Sequence, residues 1–165
     1  MIVIPPVGTA FARSGERTAE FATVKDISAT ILDYVGLSYP EETFRGREIT
    51  PASGVTLREF MERETVKPHP DDDRYVFELF GNGYVVQGDY KAMMIREGMW
   101  GDGQWHLYDI RNDPGETRPI NDENPELLAE LVAHFEEYRA RENLVTVADN
   151  WNPWYGFVDL ETFDN

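Results

Sequence analysis

Trp105-His106-Leu107-Tyr108-Asp109-Ile110-Arg111-Asn112-Asp113-Pro114-Gly115-Glu116 decides how this chain is read. It opens as a strand over 104–110 and closes on Pro114-Gly115, a pair that suits the two central positions of a type II turn. Working upstream, Gly88-Asp89-Tyr90-Lys91 lies at strand-and-return spacing, with a tight turn at Gly88-Asp89 and a strand over 90–95. Segments 74–80 and 84–87 flank Gly81-Asn82-Gly83, whose residues tolerate positive φ and predict a hairpin turn there. Working downstream, Asn124 is placed to cap a helix and Pro125 suits its first turn. Leu127, Leu128, Leu131, Phe135 and Tyr138 then give that helix one apolar stripe. The pattern fits an α+β arrangement: a four-stranded antiparallel sheet covered by a C-terminal helix.

The first third of the chain carries a second set of signals. Ile2-Val3-Ile4 reads as a short buried strand stopped by Pro5-Pro6. Val24, Ile27, Ile31 and Val35 recur at helical spacing, Thr23 and Asp26 fit a capping box, and Gly36 is a natural stop. Residues 7–20 and 38–55 read as irregular connection. Thr56 is placed to cap a short helix carrying Leu57, Phe60 and Met61, with Glu59 at the capping-box position. Residues 67–73, Lys67-Pro68-His69-Pro70-Asp71-Asp72-Asp73, read as a solvated linker.

Taken in order, these segments resemble the C-terminal region of bacterial arylsulfatases. That family carries Gly-Asp-Trp-Lys, then Trp-x-Leu-Tyr-Asp-Leu, an Asp-Pro-Gly-Glu turn and a closing helix; here Tyr90 replaces the tryptophan and Ile110 the leucine. The stretch from Val24 to Gly36 is similar to the family's Asp-x-x-Pro-Thr-Leu-Leu helix, with Ala29 in place of proline. Gly54-Val55-Thr56-Leu57 resembles its Gly-x-Ser-Leu, and Glu78-Leu79-Phe80-Gly81 is a further likeness. The resemblance runs colinearly over residues 1 to 144. It implies that the Ile2 strand and the Val24 helix are left over from a catalytic α/β domain, that residues 1–66 are the end of that domain with its connection, and that 67–144 are the C-terminal subdomain. Residues 145–165 form an aromatic, acidic tail beyond the resemblance.

The family's nucleophile is a cysteine or serine converted to formylglycine within Cys/Ser-x-Pro/Ala-x-Arg. This chain has no cysteine, and of its four serines only Ser38 has proline or alanine two residues on. Glu42 then stands where arginine is required. The resemblance places the family's metal ligands and its sulfate-binding lysines and histidines before the point where this chain begins. Calcium and formylglycine are therefore expected in the complete enzyme, and no cofactor in this chain. The implied reading is a fragment of a sulfuric ester hydrolase that is not catalytic by itself and that associates with its missing catalytic half or with itself. The alternative is a free-standing binding or assembly module that has kept the sulfatase tail. Lys91 lies in a family motif but reads as structurally paired or simply exposed, because the resemblance places the substrate lysines upstream.

Composition narrows the partners. A net charge of −16 with no basic patch makes nucleic acid and anionic membranes poor partners. With 41% hydrophobic and 13% aromatic residues, the chain is globular despite its ten prolines and thirteen glycines. His69, His106 and His134 fall on a linker, a strand and a helix, with no spacing that favours a metal site or a triad. Asp71-Asp72-Asp73 lacks the alternation and central glycine of a calcium loop and reads as a solvated acidic run. In the tail, Trp151, Trp154 and Tyr155 are candidate packing or interaction residues, preferred over a stacking platform for sugar rings. Cellular location is not encoded in any feature of this sequence.

Overall fold

The computed structural model describes residues 2–4, 15–63, 67–97 and 100–145. The chain divides into two compact units, Met1–Asp73 and Arg74–Asn165.

In the first unit, α1 (Val24–Tyr34) starts at Thr23, whose N–H donates to the Asp26 carboxylate at 2.6 Å, the acidic limb of a capping box. Gly36, at φ +69°, takes the left-handed turn that stops the helix. A small hairpin of β1 (Thr43–Phe44) and β2 (Arg47–Glu48) follows within the stretch read as irregular; Arg45 and Gly46 turn it, both at positive φ. The short helix α2 (Arg58–Glu62) has Leu57 at its N-cap, one residue later than expected. Thr56 nevertheless accepts the Arg58 N–H on its hydroxyl, at 3.2 Å. Leu57, Phe60 and Met61 form the small buried cluster of this unit.

One expectation fails in this unit. Residues 2–4 join no ladder among the described residues, and Ile2 and Ile4 are exposed. A three-residue run cannot hold an extended form without a neighbouring strand to satisfy its backbone. The apolar stripe of α1 is solvent-facing, with Val24, Ile31 and Val35 exposed, as expected of a helix left over from a domain that lies outside these residues. The opposite, polar face carries the buried Asp26 and packs inward.

The second unit is the four-stranded antiparallel sheet covered by a helix that the sequence predicts. Strands β3 (Arg74–Leu79), β4 (Asn82–Gln87), β5 (Tyr90–Met94) and β6 (Trp105–Asp109) lie in chain order, and α3 (Pro125–Arg141) covers one face. Because side chains alternate along a strand, the register brings Val76, Val85, Ala92 and Leu107 into one row across the sheet. That row meets Leu131 and Phe135 to form the core, with Leu127, Leu128, Tyr138, Trp105, Tyr90 and Ile120 packed around it. Trp105 meets the Phe135 ring edge to face at 4.9 Å.

Three local features differ from expectation. The first hairpin turns at Phe80-Gly81, both at positive φ, so Asn82 and Gly83 belong to β4. A Cβ at Gly83 would fall 2.4 Å from the Phe135 ring, so this glycine serves helix packing rather than the turn. The turn at Asp113 to Glu116 is closed by Glu116 N–H to Asp113 O at 3.1 Å, with the left-handed residue at Glu116 and not at Gly115; it is not type II. Asn124 occupies the N-cap of α3 as expected, but its side chain makes no capping hydrogen bond. The edge of β6 is covered instead by Asn121, whose amide accepts from Leu107 N–H at 2.8 Å and donates to Trp105 O at 2.9 Å.

Candidate functional site

The segments that carry the family resemblance are bonded to one another in each unit. In the first unit, Asp26, Thr30 and Asp33 lie on the inward face of α1 and meet Gly54-Val55-Thr56-Leu57 residue by residue. Val55 N–H donates to Asp26 Oδ1 at 2.9 Å, the Thr56 hydroxyl to Asp33 Oδ2 at 2.7 Å, and Leu57 N–H to Thr30 Oγ1 at 2.9 Å. Thr30 in turn donates its hydroxyl to Asp26 O at 2.6 Å. Gly54 makes the approach possible, since a Cβ there would fall 2.2 Å from Lys25 O. Arg58 adds a contact to Asp33 at 3.4 Å and one to Glu62 at 3.1 Å.

Asp26 is also the meeting point for the segment read as a solvated linker. His69 Nε2 lies 3.0 Å from Asp26 Oδ2, and His69 Nδ1 lies 2.6 Å from Asp73 Oδ2. The imidazole is only 12% exposed and the Phe21 ring lies edge-on to it at 5.7 Å. Burial alone favours protonated Asp26, but the N–H groups of Thr23 and Val55 and the hydrogen bond from His69 outweigh it and hold the carboxyl below its usual value. For His69, burial opposes the charge, and the hydrogen bonds to Asp26 and Asp73 outweigh it and raise the imidazole. Both ring nitrogens are engaged by carboxylates, so neither is available to take a proton from a hydroxyl. A Ser-His-Asp arrangement needs one free nitrogen, and this group is not one.

In the second unit, the Gly88-Asp89-Tyr90-Lys91 and Asp113-Pro114-Gly115-Glu116 segments are joined. Lys91 Nζ donates to both oxygens of Glu116, at 2.7 and 3.0 Å, and stands 4.8 Å over the Tyr84 ring. Of the two structural roles the sequence leaves open for Lys91, pairing or exposure, the structure shows pairing. Ile110 N–H donates to Asp89 O at 2.9 Å, and Arg111 reaches the Asp89 carboxylate at 3.4 Å. The N–H groups of Arg118 and Thr117 donate to Asp113 and hold its carboxyl below the usual value.

The remaining histidines keep local company. His106 pairs with Asp102 at 2.9 Å beside a shallow cleft that Trp100 and Tyr108 also line. His134 lies 3.9 Å from Glu137 on α3, and burial lowers its imidazole. Among the described residues no group of three or more His, Cys, Asp or Glu is placed to hold a metal ion. No described helix is long and apolar enough to cross a membrane. Trp151, Trp154 and Tyr155 lie outside the described residues.

No family model matches the sequence. Among curated proteins, the chain is 34% identical over 134 residues to an uncharacterized sulfatase of Schizosaccharomyces pombe, covering 80% of this chain and 24% of that protein. Similar solved structures include a protein from work on glycosaminoglycan metabolism by a core genetic locus of Bacteroides thetaiotaomicron, with 18% identity, a TM-score of 0.52, and coverage of 70% of this chain and 24% of that one. Another is Ps i-CgsB, with 18% identity, a TM-score of 0.53, and coverage of 85% and 30%. At such identities the structures share a fold, and the sequence relation rests on the curated relative. The chain is therefore similar in sequence to a sulfatase and shares its fold with the solved structures, and it spans about a quarter of the length of the curated relative it matches.

Proposed function

We propose that this chain is the C-terminal region of a sulfuric ester hydrolase and serves as a structural part of it, without turnover of its own. The observation that carries the reading is the span of the match: 80% of this chain aligns with only 24% of a sulfatase. The motifs that carry the family resemblance are engaged in holding the chain together. Asp26 and Lys91, the charged residues at their centres, are bonded within their own units to His69 and Glu116. In this reading the formylglycine nucleophile and the calcium that polarises the sulfate belong to a catalytic part outside these residues.

The exposed apolar stripe of α1 supports a partner for the first unit. Val24 is 74% exposed, Ile31 58% and Val35 61%, a continuous helical face of the kind that marks an association surface. In the complete enzyme this face is buried by the rest of the catalytic domain. When the chain is alone, self-pairing is the simplest way to cover it. The coding sequence immediately upstream of Met1 tests the proposal: an open frame containing Cys/Ser-x-Pro/Ala-x-Arg supports it, whereas a start at Met1 with no adjoining catalytic half supports a free-standing module.

A further inference from the structure

We propose that His69 is the proton-operated clasp of the first unit, tying the segment that leads into β3 to the N-terminus of α1 and to the Gly54–Leu57 segment. The geometry determines its state. A neutral imidazole has one N–H and one lone pair, yet both nitrogens of His69 face carboxylate oxygens, Asp26 Oδ2 at 3.0 Å and Asp73 Oδ2 at 2.6 Å. Only the doubly protonated ring donates to both. Loss of either proton sets a ring lone pair against a carboxylate oxygen and releases one of the two ties.

Three segments far apart in sequence converge on the Asp26–His69 pair. Asp26 faces it from α1, and the same carboxylate receives Thr23 N–H and Val55 N–H. Asp73 faces it from its own segment, in which Lys67 and Asp71 are already paired at 2.6 Å. The Gly54–Leu57 segment contributes a backbone N–H to the cluster, and Phe21 closes the imidazole from the side. The charges acting on the ring are those of Asp26 and Asp73. Asp73 is the last residue before β3, so the protonation of His69 decides whether the chain is pinned where it enters that strand.

The direction of the pH dependence follows from the two shifts. The imidazole is raised in the folded chain, so its contribution is complete below the ordinary histidine value of 6.5 and is lost as pH rises through the folded value. The Asp26 carboxyl is lowered, so its contribution is complete above the ordinary value of 3.8 and is lost as pH falls through the folded one. The clasp is closed between those limits, opening on the alkaline side by loss of a His69 proton and on the acid side by protonation of Asp26.

The test is an NMR titration of the whole chain, following the His69 ring signals and the exchange of the Val55 amide, with exchange rates corrected for their intrinsic pH dependence. The expected result is a His69 midpoint above 6.5, with Val55 protection falling about tenfold or more as pH passes through it. In Asp73→Asn, which changes a half-exposed carboxylate, the His69 midpoint falls towards the ordinary value. In His69→Gln, the step in Val55 protection disappears. A midpoint at or below 6.5, or a Val55 amide indifferent to the titration of His69, overturns the proposal.

Discussion

Gly83 stands in mid-strand with the Phe135 ring where its side chain would be. Its pattern, Gly-Asn-Gly, reads as a turn because glycine and asparagine tolerate positive φ, and local sequence holds no trace of a ring arriving from α3, more than fifty residues on. The turn instead falls on Phe80-Gly81, which leaves Phe80 in a conformation more typical of Gly or Asn. Gly83→Ala is expected to destabilise the second unit by about 1–3 kcal/mol through overpacking, read as a lower denaturant midpoint at unchanged slope. Adding Phe135→Leu should recover part of that loss, because the two positions share one contact and their effects are not additive. Equal destabilisation by Gly83→Ala in both backgrounds would show that the ring is not the obstacle. His69 was illegible for the same reason: its partner Asp26 is 43 residues away, and nothing in Lys-Pro-His-Pro-Asp-Asp-Asp signals a distant carboxylate.

At the scale of elements, α3 was legible and α1 only half so. The α3 stripe announces a buried face because Leu131 and Phe135 find the sheet row opposite them within the same unit. The α1 stripe is equally regular, yet its burial depends on a surface these residues do not supply, and the face that folds inward is held by Asp26, Thr30 and Asp33. Periodicity identifies a face; it does not say which molecule or segment covers it. Replacing Val24, Ile31 and Val35 together with serine should therefore change the stability of the dispersed chain by only about 0.5 kcal/mol per site, the scale of surface substitutions, and should shift any self-associated species towards monomer by light scattering. Loss of folding in that variant would place the stripe in a core. Trp151, Trp154 and Tyr155 of the tail lie outside the described residues. If Trp151, Trp154 and Tyr155 are packing anchors, their replacement by alanine should lower the melting temperature or break an assembly, as truncation of a buried aromatic costs about 3–5 kcal/mol. Unchanged melting and assembly, with lost glycan binding, would favour the sugar platform.

At the scale of the whole molecule, the order of short motifs carried the family and the fold of the second unit, because each motif is part of a hairpin, a turn or a helix cap whose chemistry is local. Their mutual bonds, Asp26 to Val55 and Lys91 to Glu116, explain why such motifs occur together, and only the folded chain displays them. The proposal that this chain has no turnover of its own rests on what its polar groups are already doing. The imidazole of His69 is engaged on both sides, Lys91 is neutralised by Glu116, and no cysteine or correctly flanked serine is present to become a nucleophile. The most direct measurement is turnover of an aryl sulfate such as 4-nitrophenyl sulfate by the purified chain alone, followed through every column fraction with and without added calcium. The expected result is no release of nitrophenol above the uncatalysed rate in any fraction containing the chain; activity that co-elutes with it through successive, unrelated separations would contradict the account.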